Sequence, residues 1–319
     1  MGRVVSPTGS GLNSPSPADR NGSGRKFSSA GDRSRIESSR IVDSMDASAP
    51  PSLIDTHCHL YLGESGGSTD GAGNWERARA AGVVQAVVPA IDVATSRTVI
   101  ALAAANPALF AAVGIHPNDS AEAARGSGGE VGLGAALAEV AECARAPKVV
   151  AIGETGLDCY RDRASLDVQR DSLARHVELA LALDLPLILH VRQAFAPAAE
   201  ALAEFARRGG RAVMHCFDGG PADLEPFLGW GFFISFSGIV TYPKRDDLRA
   251  AARLVPADRL VIETDAPFLA PVPKRGRPNE PAFLVHTAAK LAEVRGVGLA
   301  ELAARTTTNA RALFRLPGV

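Results

Sequence analysis

The sequence predicts a (β/α)8, TIM-like barrel with extra C-terminal helices and a disordered leader, and three observations carry that prediction. Between residue 51 and about residue 265, eight short apolar runs alternate with stretches of helical spacing. No glycine-rich phosphate loop follows the first run, where a doubly wound sheet would carry one; His57-Cys58-His59 stands there instead. The carboxyl-terminal ends of the runs collect histidines and carboxylates, as the mouth of a barrel does. A chain of 319 residues lets such a barrel use most of its length.

Residues 1–50 are rich in Ser, Gly, Pro, Arg and Asp, show no hydrophobic periodicity, and are read as a disordered leader, with the barrel domain at 51–319. Basic residues such as Arg25, Lys26 and Arg33 suit an organellar transit segment, but Asp19, Asp32, Glu37, Asp43 and Asp46 are more acid than such a segment carries. The expectation is an inert tail, or an upstream start before Met45, on a cytoplasmic or nuclear protein, with organellar targeting as the alternative.

The strands follow in order: Leu53–Thr56, Val83–Pro89, Leu109–Ile115, Val149–Glu154, Pro186–His190, Ala212–His215, Trp230–Phe236 and Leu260–Asp265. Between them the spacing predicts helices over Trp75–Ala81, Ala94–Ala105, Glu130–Arg145, Arg163–Asp184 and Ala198–Arg208, with a Gly-rich loop from Gly63 to Gly73. In the fourth of these helices Leu166, Leu173, Val177, Ala180 and Leu181 fall close to one face. A Pro-rich, basic loop over 266–281 is followed by helices Phe283–Val294, Leu299–Arg305 and Asn309–Phe314, expected to cover the outside of the barrel.

A formal net charge of −1 excludes binding of nucleic acid by bulk charge, so any such role rests on a local site or on bound cations. Four cysteines form no CxxC pair, which suits a reducing compartment; Cys58 and Cys216 are read as buried thiols rather than ligands. No apolar run approaches a membrane span and no secretory leader precedes the core, at a mean hydropathy of +0.05.

Alternate side chains of a strand share a face, so His57 and His59 would point together toward the barrel axis. Glu154, His190, His215 and Asp265 end other strands around the same mouth. Each alone has a plain structural reading, a satisfied core histidine or a helix cap. Counting His116, however, five of the seven histidines end predicted strands. The mixed N/O set suits two divalent ions, Zn2+, Mn2+ or Mg2+. With ions about 4 Å apart, Glu154 is the natural bridge, and Asp265 can ligate one ion and orient or deprotonate a water. His116, Arg192, Lys274 and Arg275 would hold an anionic substrate, the alternative for Arg192 being a salt bridge at the rim.

In the segments Asp55-Thr56-His57-Cys58-His59-Leu60, Gly114-Ile115-His116-Pro117, Gly153-Glu154-Thr155-Gly156-Leu157-Asp158 and Leu189-His190-Val191-Arg192, the chain resembles the TatD family of metal-dependent deoxyribonucleases, within the amidohydrolase-like hydrolases. His215-Cys216-Phe217, Ser235-Phe236-Ser237-Gly238, Glu263-Thr264-Asp265-Ala266-Pro267-Phe268-Leu269, Arg275-Gly276, Asn279-Glu280-Pro281 and Thr308-Asn309-Ala310 extend the resemblance. It implies a 3′ to 5′ exonuclease acting on DNA, in some members on RNA or as an endonuclease. It also implies that His57, His59 and Asp265 hold one ion and His190 and His215 the other, with Glu154 between, and that His116 and Arg192 contact phosphate. Three positions depart from the family's habit: Tyr61 where Asp is frequent, Phe195-Ala196-Pro197-Ala198 where Asp often starts the helix, and Asp218 in place of a serine. The expected partner is single-stranded or frayed DNA, with RNA second, bound by a monomer away from membranes. The competing reading keeps barrel and metals but hydrolyses amides, lactones or esters, including aminoacyl esters of transfer RNA; a further one is a non-catalytic scaffold.

Overall fold

Eight parallel strands run in sequence order around the barrel in a computed structural model that describes residues 51–62, 71–125 and 130–318. They are β1 (Leu53–Asp55), β2 (Val83–Pro89), β3 (Leu109–Val113), β4 (Val149–Asp158), β5 (Leu187–Arg192), β6 (Ala212–His215), β7 (Phe233–Phe236) and β8 (Leu260–Ile262). Between β8 and β1 the ring is joined by Thr56, whose N–H and Oγ1 both donate to the Ile262 carbonyl (3.1 and 2.9 Å), and by Asp265 N–H to the His57 carbonyl (2.9 Å). The predicted leader and most of the predicted Gly63–Gly73 loop lie outside the described residues.

Helices connect the strands: α1 (Gly71–Ala80), α2 (Val93–Ala105), α3 (Ser120–Arg125), α4 (Glu130–Cys143), α5 (Leu166–Leu183), α6 (Phe195–Arg207), α7 (Pro221–Gly229) and α8 (Asp246–Leu254), then α9 (Leu284–Arg295) and α10 (Leu299–Phe314). Local chemistry sets several boundaries. Asp92 caps α2 by accepting from Thr95 N–H at 2.7 Å, and Asp184, in the left-handed region at φ 51°, ends α5.

Alternate strand residues divide the core. Leu53, Val88, Ala111, Leu189 and Met214 face the surrounding helices, while Ile54, Val87, Phe110, Ala112, Ile188 and Val213 fill the barrel interior. The interior set continues into Ala310, Leu313 and Phe314 of α10. The C-terminal helices were expected only on the outside; α10 instead lays its last turn on the amino-terminal end of the barrel. Arg211 donates to the Leu313 carbonyl (2.9 Å) and Gln85 to that of Pro317 (3.0 Å) there. That end is filled, which leaves the carboxyl-terminal mouth as the open one.

Other boundaries differ from the sequence reading. The helices expected at 299–305 and 309–314 are one, because Thr306 returns its hydroxyl to Leu302 O (3.0 Å) and Thr307 donates to Ser52 O (2.9 Å). Helices α3, α7 and α8 were not predicted; Pro226 inside α7 reads as a breaker in sequence. Strand β4 runs four residues further than expected, and β1 and β8 stop before the residues they were expected to deliver.

Candidate metal centre

Glu154 stands at the middle of the mouth, buried, with its two oxygens turned to different histidines. Oε2 lies 3.3 Å from Nε2 of His57 and 3.7 Å from Nε2 of His59. Oε1 lies 2.9 Å from Nδ1 of His190, 3.2 Å from Nε2 of His215 and 3.5 Å from Nε2 of His116. Asp265 Oδ1 completes the first side, 3.7 Å from Nε2 of both His57 and His59. Among the described residues, three sets of side chains are close enough to share an ion: His57, His59 and Asp265; His57, Glu154 and His215; and His116, Glu154 and His190.

The backbone explains why these groups meet. Strand β1 ends at Asp55, so His57 and His59 converge, Nε2 to Nε2 at 3.2 Å, by the shape of the following loop and not by strand pleating. Asp55 holds that loop: its buried Oδ1 accepts from the N–H of His57 (3.2 Å) and of Thr264 (3.0 Å), tying the exits of β1 and β8 together. Burial pushes the Asp55 carboxyl up to about 7. Glu154 lies inside β4 between Gly153 and Gly156, at φ 148° and 144°. A Cβ on Gly156 would fall 2.0 Å from the His190 carbonyl oxygen, so glycine there lets β4 and β5 approach and brings His190 to Glu154. Asp265, at φ 57°, sits three residues beyond β8.

Of the ring nitrogens turned away from the centre, those of His59 and His190 are hydrogen-bonded and that of His215 lies against a carboxylate. His59 Nδ1 lies 3.2 Å from the Pro89 carbonyl, which directs its Nε2 inward as a lone pair. His215 Nδ1 lies 2.9 Å from Oε1 of buried Glu263, and His190 Nε2 lies 3.1 Å from Oδ2 of Asp158. Metal-ligating histidines are oriented by such carbonyl and carboxylate partners. Asp158, Glu263 and Asp55 fall within the segments quoted above but carried no role in the sequence reading. Glu263 two residues before Asp265, and Asp158 four after Glu154, are the signals that mark them.

His116 differs from the other four histidines. Its Nδ1 accepts from Asn118 N–H at 3.1 Å, so in the neutral ring Nε2 carries the proton and faces the site as a donor.

Charge at this centre is unbalanced in the direction a cation corrects. Burial pushes Asp265 up to about 8, with Glu263 and Glu154 adding to the rise. Burial would also raise Glu154, but His215, His116 and His57 outweigh it and hold the carboxyl well below the usual range. Burial, then the neighbouring His215, lowers His57; burial, then His57, brings His59 down to about 3. Both rings are therefore neutral, with Nε2 available to a metal at neutral pH. Burial opposes charge on His190 and His215, yet Asp158 and Glu154 raise the first and Glu263 and Glu154 raise the second well above its ordinary value. The donors thus fit divalent ions, whose charge would replace these protons.

Above the centre is a cavity of about 650 Å3 whose wall includes Arg161, Arg163, Arg192 and Arg245. Arg192, which follows His190 on β5, lays its guanidinium 3.9 Å over the Tyr160 ring. Arg275 lies outside the wall, exposed and stacked 4.2 Å over Tyr242, and Lys274 sits 5.1 Å over Phe283. Asp218 faces the cavity, its main-chain carbonyl held by Arg245 at 2.5 Å. Tyr61 donates to the Pro89 carbonyl (3.0 Å) beside His59, and Phe195 packs 5.4 Å from Phe217, so both departures from the family pattern serve local packing. Cys58 is buried with its thiol toward Val87 O (3.9 Å); Cys216 borders the cavity, its sulfur 3.2 Å from Ser237 Oγ, and neither joins a metal-binding set.

Residues 54–315 match the family described as TatD related DNase. A Bacillus subtilis protein named uncharacterized metal-dependent hydrolase YabD is 34% identical over 264 residues, 83% of this chain and 99% of the relative. The Erwinia tasmaniensis protein named 3′-5′ ssDNA/RNA exonuclease TatD is 36% identical over 247 residues, 76% of this chain and 92% of the relative. The crystal structure of YJJV, a TatD homologue from Escherichia coli K12, superposes with a TM-score of 0.74 at 32% identity, covering 83% of this chain and 98% of that one. Matched across its barrel by the family and by relatives of like length, the chain belongs to the TatD family of metal-dependent hydrolases.

Proposed function

We propose that the protein is a metal-dependent phosphodiesterase that removes nucleotides from the 3′ ends of single-stranded or frayed DNA, with RNA as a second substrate. The observation that carries the reading is the division of Glu154, one oxygen toward His57 and His59 and the other toward His190 and His215. In this reading His57, His59 and Asp265 hold one divalent ion, His190 and His215 a second, and Glu154 lies between; Zn2+, Mn2+ and Mg2+ each suit part of that imidazole and carboxylate set. Bound there, such ions lower the pKa of water and polarise a scissile phosphoryl group.

The chain supplies the remaining functions. Asp265 orients the attacking water and accepts its proton. His116 directs Nε2–H at a phosphoryl oxygen, and Arg192, held flat by Tyr160, offers a planar pair of donors to the same group. Arg275 lies further out, where it would meet the continuing strand. The four arginines of the cavity wall favour a phosphate backbone over an acyl substrate, and the relative named 3′-5′ ssDNA/RNA exonuclease supports the direction and the substrate. Among the described residues no helix is long and apolar enough to cross a membrane. The four free cysteines support action in a reducing compartment, cytoplasm or nucleus, and the proposal takes the monomer as the working unit.

The test is degradation of a 3′-labelled single-stranded oligonucleotide beside a 5′-labelled one, with Mg2+, Mn2+ or chelator, by wild type and Asp265→Asn. Early release of the 3′ label as mononucleotide and stepwise shortening of the 5′-labelled strand are expected, both abolished by chelator and strongly reduced by the substitution. If neither strand is cut by protein that contains bound metal, the phosphodiesterase reading fails and amides, lactones and aminoacyl esters become the substrates to try.

A further inference from the structure

Among the described residues four large apolar side chains are well exposed, and the two aromatic ones, Tyr160 at 54% and Phe268 at 45%, both stand at the mouth. Tyr160 follows β4 and Phe268 follows β8. Those strands are four apart in a ring of eight, so the two rings rise from opposite walls with Glu154 between them.

Both rings ride on backbone fixed to the metal centre. Tyr160 N–H donates to Asp158 Oδ1 at 2.8 Å, and the other oxygen of Asp158 meets His190. Phe268 N–H donates to the Asp265 carbonyl at 2.8 Å, and Asn279 Nδ2 holds the Phe268 carbonyl at 2.6 Å. Arg192 covers one face of Tyr160 and leaves the rest of the ring to solvent. Exposed rings placed beside cationic groups are how proteins hold the bases of an unpaired strand.

We propose that Tyr160 and Phe268 are opposed stacking walls that receive the bases on either side of the scissile phosphate, and that they set the preference for unpaired 3′ ends. The inference rests on the phosphodiesterase reading and deepens it. A phosphate seated between the two walls has its flanking bases drawn apart, one to each ring. Bases stacked and paired in a duplex end cannot separate in this way without first fraying.

The experiment uses the full chain and two oligonucleotides, one normal and one with abasic sugars at its last two 3′ positions, together with a third carrying 2-aminopurine at the 3′ terminus. With wild type, 2-aminopurine fluorescence should fall on binding, in chelator and without turnover, and the abasic strand should show the higher KM. Phe268→Ala should reduce the quenching and raise KM on the normal strand on the order of ten-fold, with little change in kcat and little change on the abasic strand, while Tyr160→Ala, which also releases Arg192, should raise KM on both strands and more on the normal one. Tyr160→Phe and Phe268→Tyr should restore both readouts, which a fold defect would not permit. Equal losses on the normal and abasic strands, or unchanged quenching in the alanine variants, would overturn the stacking role while leaving phosphodiester hydrolysis standing. Failure of wild type to cut either strand would overturn the reaction reading instead, and the quenching measurement separates the two because it needs binding alone.

Discussion

Oε2 of Glu154 lies 3.3 Å from Nε2 of His57, while the other oxygen is turned to His190, 2.9 Å from Nδ1. One carboxylate therefore faces both halves of the candidate centre, and an amide cannot do the same because one of its two heavy atoms is a donor. Glu154→Gln should leave the fold intact, lower the metal content recovered after dialysis by about one equivalent, and reduce kcat on the order of 100-fold or more. Elemental analysis beside single-turnover kinetics measures both. Full metal content at full rate would remove Glu154 from the bridging position.

His116 makes the opposite kind of claim, since the Asn118 N–H at 3.1 Å occupies its Nδ1 lone pair and leaves Nε2 a donor. His116→Ala is expected to keep the wild-type metal content and lose roughly 10- to 1,000-fold in kcat, as the removal of one donor to developing negative charge does. A loss of one metal equivalent in this variant would make His116 a ligand instead, in the set it can form with Glu154 and His190.

Where the sequence was legible, it was so for a physical reason. Parallel strands buried on both faces read as continuous apolar runs, and six of the side chains that meet in the centre stand at or just beyond such runs. What could not be read was how they meet. The His57–His59 approach depends on a loop that Asp55 ties to Thr264 across more than two hundred residues, a contact no local pattern announces. The threonines at 306–308 argue locally for a helix break, yet Thr306 and Thr307 find acceptors in Leu302 and Ser52 and the helix continues. Asp158 and Glu263 are marked by their spacing from Glu154 and Asp265, but the histidine each one touches is not legible from that spacing.

Gly156 tests how tightly β4 must approach β5. A methyl group there would fall 2.0 Å from the His190 carbonyl oxygen, at a φ of 144° that side chains rarely adopt. Gly156→Ala should cost about 3 kcal/mol or more in urea unfolding and displace His190 even where the protein folds. Gly229, the last residue of α7, has open space around its position, and Gly229→Ala should change stability by less than about 1 kcal/mol. Equal midpoints for the two variants would show that the strands have room to part.

His176 connects the site to the pH dependence of stability. From α5 its Nε2 accepts the N–H of Ile115, at 3.0 Å, immediately before His116, and its Nδ1 lies 2.7 Å from Ser172 O. Burial lowers its pKa from 6.5 to about 4, so between those values the unfolded chain takes up a proton that the folded ring refuses. The contribution is whole above pH 6.5 and is lost as pH falls toward 4, amounting at most to about 3 kcal/mol. Other buried groups titrate across the same range, so the informative quantity is the difference between wild type and His176→Gln, whose side-chain oxygen can still accept from Ile115 but cannot charge. Urea unfolding of metal-free protein at steps from pH 7.5 to 4 should show wild type losing ground to the variant steadily below 6.5. Parallel curves would mean that His176 keeps its ordinary pKa in the fold, and that the Ile115 contact does not depend on a neutral ring.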